Sequence, residues 1–368
     1  MTSAGPSARP AILPPPGGRR WPVAVLGATG AVGQTFIRCL AGHPWFEVAE
    51  VAASERSAGK PYVEAARWLE GTMPPAVAGM TVLPCDPSAV KSPLVFSALD
   101  AAAAGVVEPA FAHAGRVVLS NAKNYRMDAD VPLLIPEINA AHLGILDRQR
   151  RSRGWTGAIV TNANCSATVA ALALAPLHEA FGLRQLFLAT MQAVSGAGYP
   201  GVASLDILGN VIPYIGEEEP KLERELPKLL GRWSGDGIAL GDFVVSAHTN
   251  RVPVEHGHTI CVSASFDRRP AVAEATAAYA DWRGAAEVAG LPSAPEIPVL
   301  VRHEDARPQP RRDVDAEGGM QVQVGRVRPD NIFHLRFVAL GHNTVRGAAG
   351  GSVLNAELMA ARGLLPAP

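Results

Sequence analysis

The sequence predicts an α/β chain in two parts: a parallel sheet wrapped by helices, then a mostly antiparallel sheet. Three observations predict it. Near residue 27 an apolar strand runs into a glycine-rich turn and then an apolar-periodic helix. Buried-strand and helix patterns alternate from there to about residue 165, the rhythm of βαβ units. Beyond it, apolar and polar residues alternate with period two, which suits half-buried antiparallel strands.

The composition sets bounds. The chain has 368 residues, 48% of them hydrophobic, and a net charge of −1. That length suits two domains with large cores. Near-neutral charge gives no electrostatic reason to expect nucleic acid or an anionic membrane as partner. No apolar run is long enough to span a bilayer. The four cysteines (Cys39, Cys85, Cys165 and Cys261) are widely spaced, with no CxxC pair. This fits neither a disulfide framework nor a zinc site, so no metal is expected and a reducing, cytoplasmic setting is. Residues 1–20 are rich in Pro, Gly and Arg without an apolar signal core, and are expected to form a disordered leader.

The elements follow in order. Trp21–Leu26 reads as a buried strand. The turn Gly27-Ala28-Thr29-Gly30-Ala31-Val32-Gly33 and a helix from about Gln34 to Ala41 come next. Its glycines allow a tight turn and close backbone approach to a pyrophosphate at the helix start. The spacing is GxxGxxG rather than GxGxxG, and a structural turn is the bland alternative. A second strand, Phe46–Ala53, ends in Ser54-Glu55-Arg56-Ser57. An arginine between two serines suits a 2′-phosphate, so NADP is expected over NAD, although Glu55 stands beside it. Leu94–Leu99 and Arg116–Asn121 read as further strands, with a helix over Ala101–His113 between them. Arg126 lies beyond the last of these, where open α/β sheets place ligands; it suits an anion or is a surface arginine.

Cys165 ends the extended stretch Ala158–Val160 and opens a helical segment, Val169–Leu177. The N–H groups of a helix start stabilise a thiolate. With the nucleotide turn, this suggests a thiol-based redox enzyme, against the alternative of a buried core cysteine. Gln185–Ala193, Phe243–Ala247, Thr259–Phe266, Gly319–Val327 and Ile332–Leu340 read as alternating strands, and Ser352–Arg362 as a final helix. A histidine of the segment Arg251–His258 near the cysteine would exchange protons with it.

The motifs GATGAVG, SERSAGK, SNAKNYRM, NANCSAT, QAVSGAG, NRVPVEHGH, RPQPRRD and HNTVRGAAGG occur in this order. As a set they resemble the aspartate-β-semialdehyde dehydrogenase family, in its archaeal and fungal-like branch, from about Val23 to Leu358. The resemblance implies a Rossmann-type NADP-binding domain (21–163 and 346–368) and an α+β catalytic and dimerisation domain (164–345). It implies a homodimer or homotetramer and a small-molecule substrate. The reaction would be reversible NADP-dependent reductive dephosphorylation of β-aspartyl phosphate to L-aspartate β-semialdehyde, on the route to lysine, methionine and threonine. Cys165 would be the nucleophile, His258 the acid/base (His256 second), and Gln192 would orient the acyl group. The backbone N–H of Cys165 and its neighbour would stabilise the oxyanion. Arg251 would hold the α-carboxylate, and Arg126 with Asn124 the phosphate. Within Gly216-Glu217-Glu218-Glu219-Pro220-Lys221, Glu218 would take the α-ammonium and Lys221 assist with phosphate; a solvated helix start is the alternative there. Gly27, Thr29, Gly30, Ala31, Val32, Gly33, Ser54, Arg56 and Ser57 would bind the cofactor, with Ser195, Gly196, Asn343 and Thr344 at its nicotinamide half. The rival readings are an acyl-CoA reductase resembling malonyl-CoA reductase, acetylglutamyl phosphate reductase, and a non-catalytic Rossmann regulator.

Overall fold

The computed structural model describes residues 12–367. Six strands form the first sheet: β1 (Trp21–Leu26), β2 (Phe46–Ala53), β3 (Leu83–Pro84), β4 (Leu94–Ser97), β5 (Val117–Ser120) and β6 (Ala158–Thr161). They lie in the order β3-β2-β1-β4-β5-β6 with every pairing parallel. β4, β5 and β6 are buried along their whole length, which is why they read as short continuous apolar runs. The strand order reverses at β1/β4, so a crevice opens beyond the carboxyl ends of these two strands.

Helix Ala31–Leu40 starts at that crevice. Its glycine turn is needed for close approach. A Cβ at Gly33 would lie 2.3 Å from the Gly27 carbonyl oxygen, and one at Gly27 (φ +70°) 2.7 Å from that of Ala98. Helix Ala101–His113 is capped by Asp100, whose carboxylate accepts from the Ala102 and Ala103 amides at 2.9 and 3.0 Å.

Of the expected leader, residues 1–11 lie outside the described residues. From Ile12 the chain runs along the body: the Leu13 amide donates to Gly290 O (3.2 Å) and Leu13 O accepts from the Trp45 indole (2.8 Å). At the other end, helix Gly350–Ala361 returns to the first sheet. Its Val353, Leu354 and Leu358 share one core with Val23, Phe36 and Phe96. A π-helical turn, Val345–Ala349, leads into it. Two buried contacts fasten this return: His43 to Glu357 (2.8 Å) and the ion pair Arg346–Glu137 (2.7 Å).

The second sheet contains β7 (Leu183–Gln192); the pair β8 (Arg232–Trp233) and β9 (Ile238–Ala239) stands apart from it as a small antiparallel sheet. The remaining strands are β10 (Val244–Arg251), β11 (His258–Phe266), β12 (Val299–Arg302), β13 (Val322–Pro329) and β14 (Leu335–Gly341). The order is β10-β7-β11-β14-β13-β12. The three inner pairings are antiparallel, but β10–β7 and β12–β13 are parallel, so the sheet is mixed at both edges. Period-two alternation reports which face is buried and carries no information on strand direction. The inner face packs on helix Cys165–Phe181, which extends past the expected segment at both ends and is buried through nearly all its length. On the outer face Phe187, Met191 and Cys261 alternate with these buried positions.

Helix Glu218–Leu229 lies along edge strand β10. Glu223 and Glu219 accept from the Ala247 and Thr249 amides (3.4 and 3.0 Å), and Ile212 O accepts from the Arg251 amide (2.8 Å).

The Arg346–Glu137 pair tests the joint between the terminal segment and the body. Its side chains are each 1% exposed. Arg346→Met should cost about 3–5 kcal/mol in urea unfolding, because Glu137 is left buried without its partner. The double variant with Glu137→Leu should recover most of that loss. A single-variant loss below about 1 kcal/mol would show that the pair does not fasten the joint.

Candidate active site

The site is built at the start of helix Cys165–Phe181. The chain leaves β6 at Thr161, and Asn164 caps the helix, its Oδ1 accepting from the Ser166 and Ala167 amides at 3.0 and 3.2 Å. Cys165 is therefore the first helical residue. Its Sγ lies 3.2 Å from Nε2 of His258, the first residue of β11. The other ring nitrogen, Nδ1, accepts from the Ala193 amide at 3.1 Å. A neutral imidazole carries one proton, so this contact places it on Nε2, facing the sulfur.

Burial decides the charge state of this pair. It pushes the Cys165 thiol up to about 12, with Glu218 the second cause; Arg126, the Ser166 amide and Arg251 pull the other way. Burial, then Arg251 and His342, brings His258 down to about 3. The unliganded pair is a thiol beside a neutral imidazole. The Ser166 amide at the helix start favours the thiolate, as expected, but by less than burial disfavours it. His256 does not reach the sulfur. It stacks on His342 with ring centroids 5.0 Å apart and bonds the Ser195 hydroxyl through Nδ1 at 3.1 Å.

A cavity of about 360 Å³ opens above Cys165, between the crevice of the first sheet and the second sheet. Gln192 at the end of β7 and Arg251 at the end of β10 line it. Gln192 Nε2 lies 3.4 Å from both Thr190 Oγ1 and Glu218 Oε2. Arg251 donates through Nη1 to Ala193 O at 2.8 Å, and burial lowers its pKa. Gly196 leaves room for both partners of the sulfur site: a Cβ there would lie 2.9 Å from Arg251 Nη1 and 3.0 Å from His258 Cε1.

The three-acid run resolves by geometry. Glu217 takes a left-handed conformation (φ 63°), after which Glu218 opens its helix. Pro220 falls in the first turn, where its missing N–H has no helical partner to lose. Glu218 and Lys221 therefore share one face, 2.6 Å apart, and both line the cavity. Glu218 Oε2 also accepts from Asn164 Nδ2 at 2.8 Å. Glu217 is exposed, and Glu219 is engaged with the β10 edge.

Arg126 lines the cavity and is buried. It donates through Nη1 to Glu225 (2.9 Å) and through Nη2 to Asn121 O (2.8 Å), while its Nε is buried without a partner. Asn124 is not brought in: it is exposed, and its amide donates to Ala101 O at 2.9 Å. Its neighbour Lys123 lines the cavity in its place, as does Asn121. Sequence reasoning also missed Gly347 of the π turn, where a Cβ would meet Cys165 Cβ at 2.6 Å. The glycine run around it was the only signal.

The expected cofactor residues fall on the same crevice. Gly27, Thr29, Gly30, Ala31, Val32 and Gly33 form the turn and first helical residues above β1. Ser54, Arg56 and Ser57 form the turn beyond β2, closed by the Ser57 amide on Ser54 O at 2.8 Å. Val32, Ser195, Gly196, Asn343 and Thr344 line the cavity, and Asn343 Nδ2 donates to Ser195 Oγ at 2.8 Å.

The charge state of the pair is open to test by iodoacetamide labelling of Cys165, followed by peptide mass spectrometry. The rate on the unliganded protein should rise about tenfold per pH unit from neutral to pH ~9, because only the thiolate reacts and its pKa lies above that range. A plateau reached below neutral pH would instead reveal a preformed thiolate–imidazolium pair.

Comparison with known proteins identifies the family. The semialdehyde dehydrogenase NAD binding domain family matches residues 22–145, and the semialdehyde dehydrogenase dimerisation domain family matches residues 174–346. The chain is 52% identical to the aspartate-semialdehyde dehydrogenase of Archaeoglobus fulgidus over 341 residues, covering 92% of this chain and 98% of that one. It is 46% identical to that of Schizosaccharomyces pombe over 352 residues, covering 93% and 99%. Among solved structures, aspartate semialdehyde dehydrogenase with NADP from Candida albicans superposes with a TM-score of 0.85 at 41% identity, covering 94% of this chain and 99% of that chain. Identity at this level over nearly the whole length, together with two family matches that span most of the described residues, places the chain in the aspartate-semialdehyde dehydrogenase family.

Proposed function

We propose that this protein catalyses the reversible NADP-dependent interconversion of β-aspartyl phosphate with L-aspartate β-semialdehyde and phosphate, through a thioester on Cys165, in amino-acid biosynthesis. The observation that carries the reading is one cavity lined by Cys165, whose sulfur contacts His258, together with Arg251, Arg126, Lys221 and Glu218. The substrate has two anionic groups and one ammonium, and the lining supplies cations and a carboxylate to match. An acyl-CoA substrate needs neither an ammonium partner nor a phosphate partner beside the thiol, so the charged lining favours the acyl phosphate.

In the reductive direction the Cys165 sulfur attacks the acyl carbon and the C–O bond to phosphate breaks, the thiol proton leaving with the phosphate and a thioester remaining. An ammonium on Glu218 would offset the carboxylate that raises the thiol. Arg251 holds the α-carboxylate, its orientation set by Ala193 O. Arg126 lines the cavity and would hold the phosphate there, and Lys221 and Lys123 add positive charge. Gln192 and the Cys165 amide hold the acyl oxygen as negative charge grows there. When bound, the nicotinamide supplies or accepts the hydride. His258 would hold the departing Cys165 sulfur through a hydrogen bond from Nε2–H as the C–S bond breaks and the aldehyde forms.

The crevice fits a dinucleotide. The positions where a Cβ at Gly27 or Gly33 would collide keep the turn narrow, and the helix start above it favours a pyrophosphate. Arg56 with Ser54 and Ser57 would hold the 2′-phosphate of NADP. We also infer a homodimer or homotetramer. Leu205, Leu208, Tyr214 and Val244 are exposed and lie within the segment matched by the dimerisation family.

Purified protein given L-aspartate β-semialdehyde, NADP and phosphate should form NADPH, and omission of phosphate should stop it. Turnover with CoA in place of phosphate would overturn the substrate assignment. Cys165→Ala should abolish turnover and keep NADP binding by fluorescence titration; loss of both would overturn the separation of roles. Arg56→Asp should lower the NADP-to-NAD ratio of kcat/KM by about tenfold or more, the worth of one charge-assisted contact. An unchanged ratio would remove Arg56 from the 2′-phosphate site.

A further inference from the structure

Helix Glu218–Leu229 carries a second set of buried charges on the face that holds Glu218 and Lys221. Glu225 and Lys228 continue that row at helical spacing, and are 2% and 3% exposed. Neither lines the cavity. Glu225 uses both carboxylate oxygens: one accepts from Arg126 Nη1 at 2.9 Å, the other from the Asn164 amide at 2.6 Å. Lys228 uses all three ammonium protons, donating to the main-chain oxygens of Arg126 (2.7 Å), Asp128 (2.8 Å) and Val131 (2.8 Å).

We propose that Glu225, assisted by Lys228, is the positioning residue of the phosphate site, clamping Arg126 to the start of the helix that carries Cys165. The proposal rests on the reading of Arg126 as the phosphate-binding residue. The two contacts divide the work. Lys228 fixes the main chain from which Arg126 projects, and Glu225 fixes its guanidinium. Through the Asn164 amide, the same carboxylate refers that guanidinium to the residue preceding the nucleophile. An arginine held in this way does not lose rotamer freedom when the anion arrives, and its guanidinium keeps its place in the cavity lining. A carboxylate beside a guanidinium also opposes a second anion by its charge. The two effects have opposite signs, so they can be told apart: positioning makes phosphate bind better, and charge alone makes it bind worse.

Glu225→Gln keeps the shape but offers only one acceptor to two donors. Initial rates in the oxidative direction, with inorganic phosphate varied, should show the phosphate KM raised about tenfold, with the KM values for the aldehyde and NADP within about twofold of wild type. In the double variant with Arg126→Lys, Glu225→Gln should add no further rise beyond that of Arg126→Lys alone. Glu225→Asp, which keeps the charge, should fall between Gln and wild type. If Glu225→Gln does not fold, Lys228→Met should give the same selective rise. An unchanged or lower phosphate KM would overturn the proposal, as would an equal rise in all three KM values, which is what a purely structural role predicts. Wild-type turnover that does not depend on phosphate would instead remove the reading of Arg126 on which the proposal stands.

Discussion

The rest of the site depends on a helix that begins inside the protein. The first amides of any helix lack partners within it, and in the interior no solvent supplies them. At the start of Cys165–Phe181 the partners are polar side chains held in place by the surrounding elements. Asn164 takes the Ser166 and Ala167 amides, Glu225 takes the Asn164 amide, and Glu218 takes the Asn164 side chain. The cysteine is thus surrounded by groups whose positions are fixed by the requirement that a buried helix start be satisfied. Those same groups hold the arginine and the lysine that face the cavity.

Burial also explains why the charged lining is arranged as it is. Removed from water, the thiol and imidazole rest neutral, and each nearby charge acts strongly on them. Glu218 opposes the thiolate while the two arginines favour it. On the proposed function, an ammonium paired with Glu218 would remove the charge that opposes the thiolate.

Much of the fold was legible in the sequence because it is written in short-range pattern. β1 and β2 have the expected bounds, as does helix Ala101–His113, since apolar runs, glycines and an Asp cap mark their ends. The parallel edges of the second sheet were not legible, because alternation is blind to direction. The π turn Val345–Ala349 was hidden as well: it lies where Gly347 packs on Cys165, a contact between segments far apart in the chain. At the site, motif reading located the loop of Lys123, Asn124 and Arg126 but not which side chain turns inward. That choice depends on the Ala101 carbonyl, which captures Asn124. The thiol's protonation state was out of reach for a similar reason. A helix start is visible in sequence, whereas the desolvation that outweighs it is a property of the assembled interior.

The side chains along β10 have a consequence for the unassembled chain. A strand at the border of a sheet normally offers a row of amides to which any other extended segment can attach, whatever its sequence. Here the amides of Ala247, Thr249 and Arg251 are already occupied by Glu223, Glu219 and Ile212. Promiscuous strand addition is blocked along that border, leaving recognition there to side-chain shape and charge. A folded subunit not yet assembled is thereby shielded along this strand by Ile212 and by the same helix that supplies Glu218 and Lys221 to the cavity.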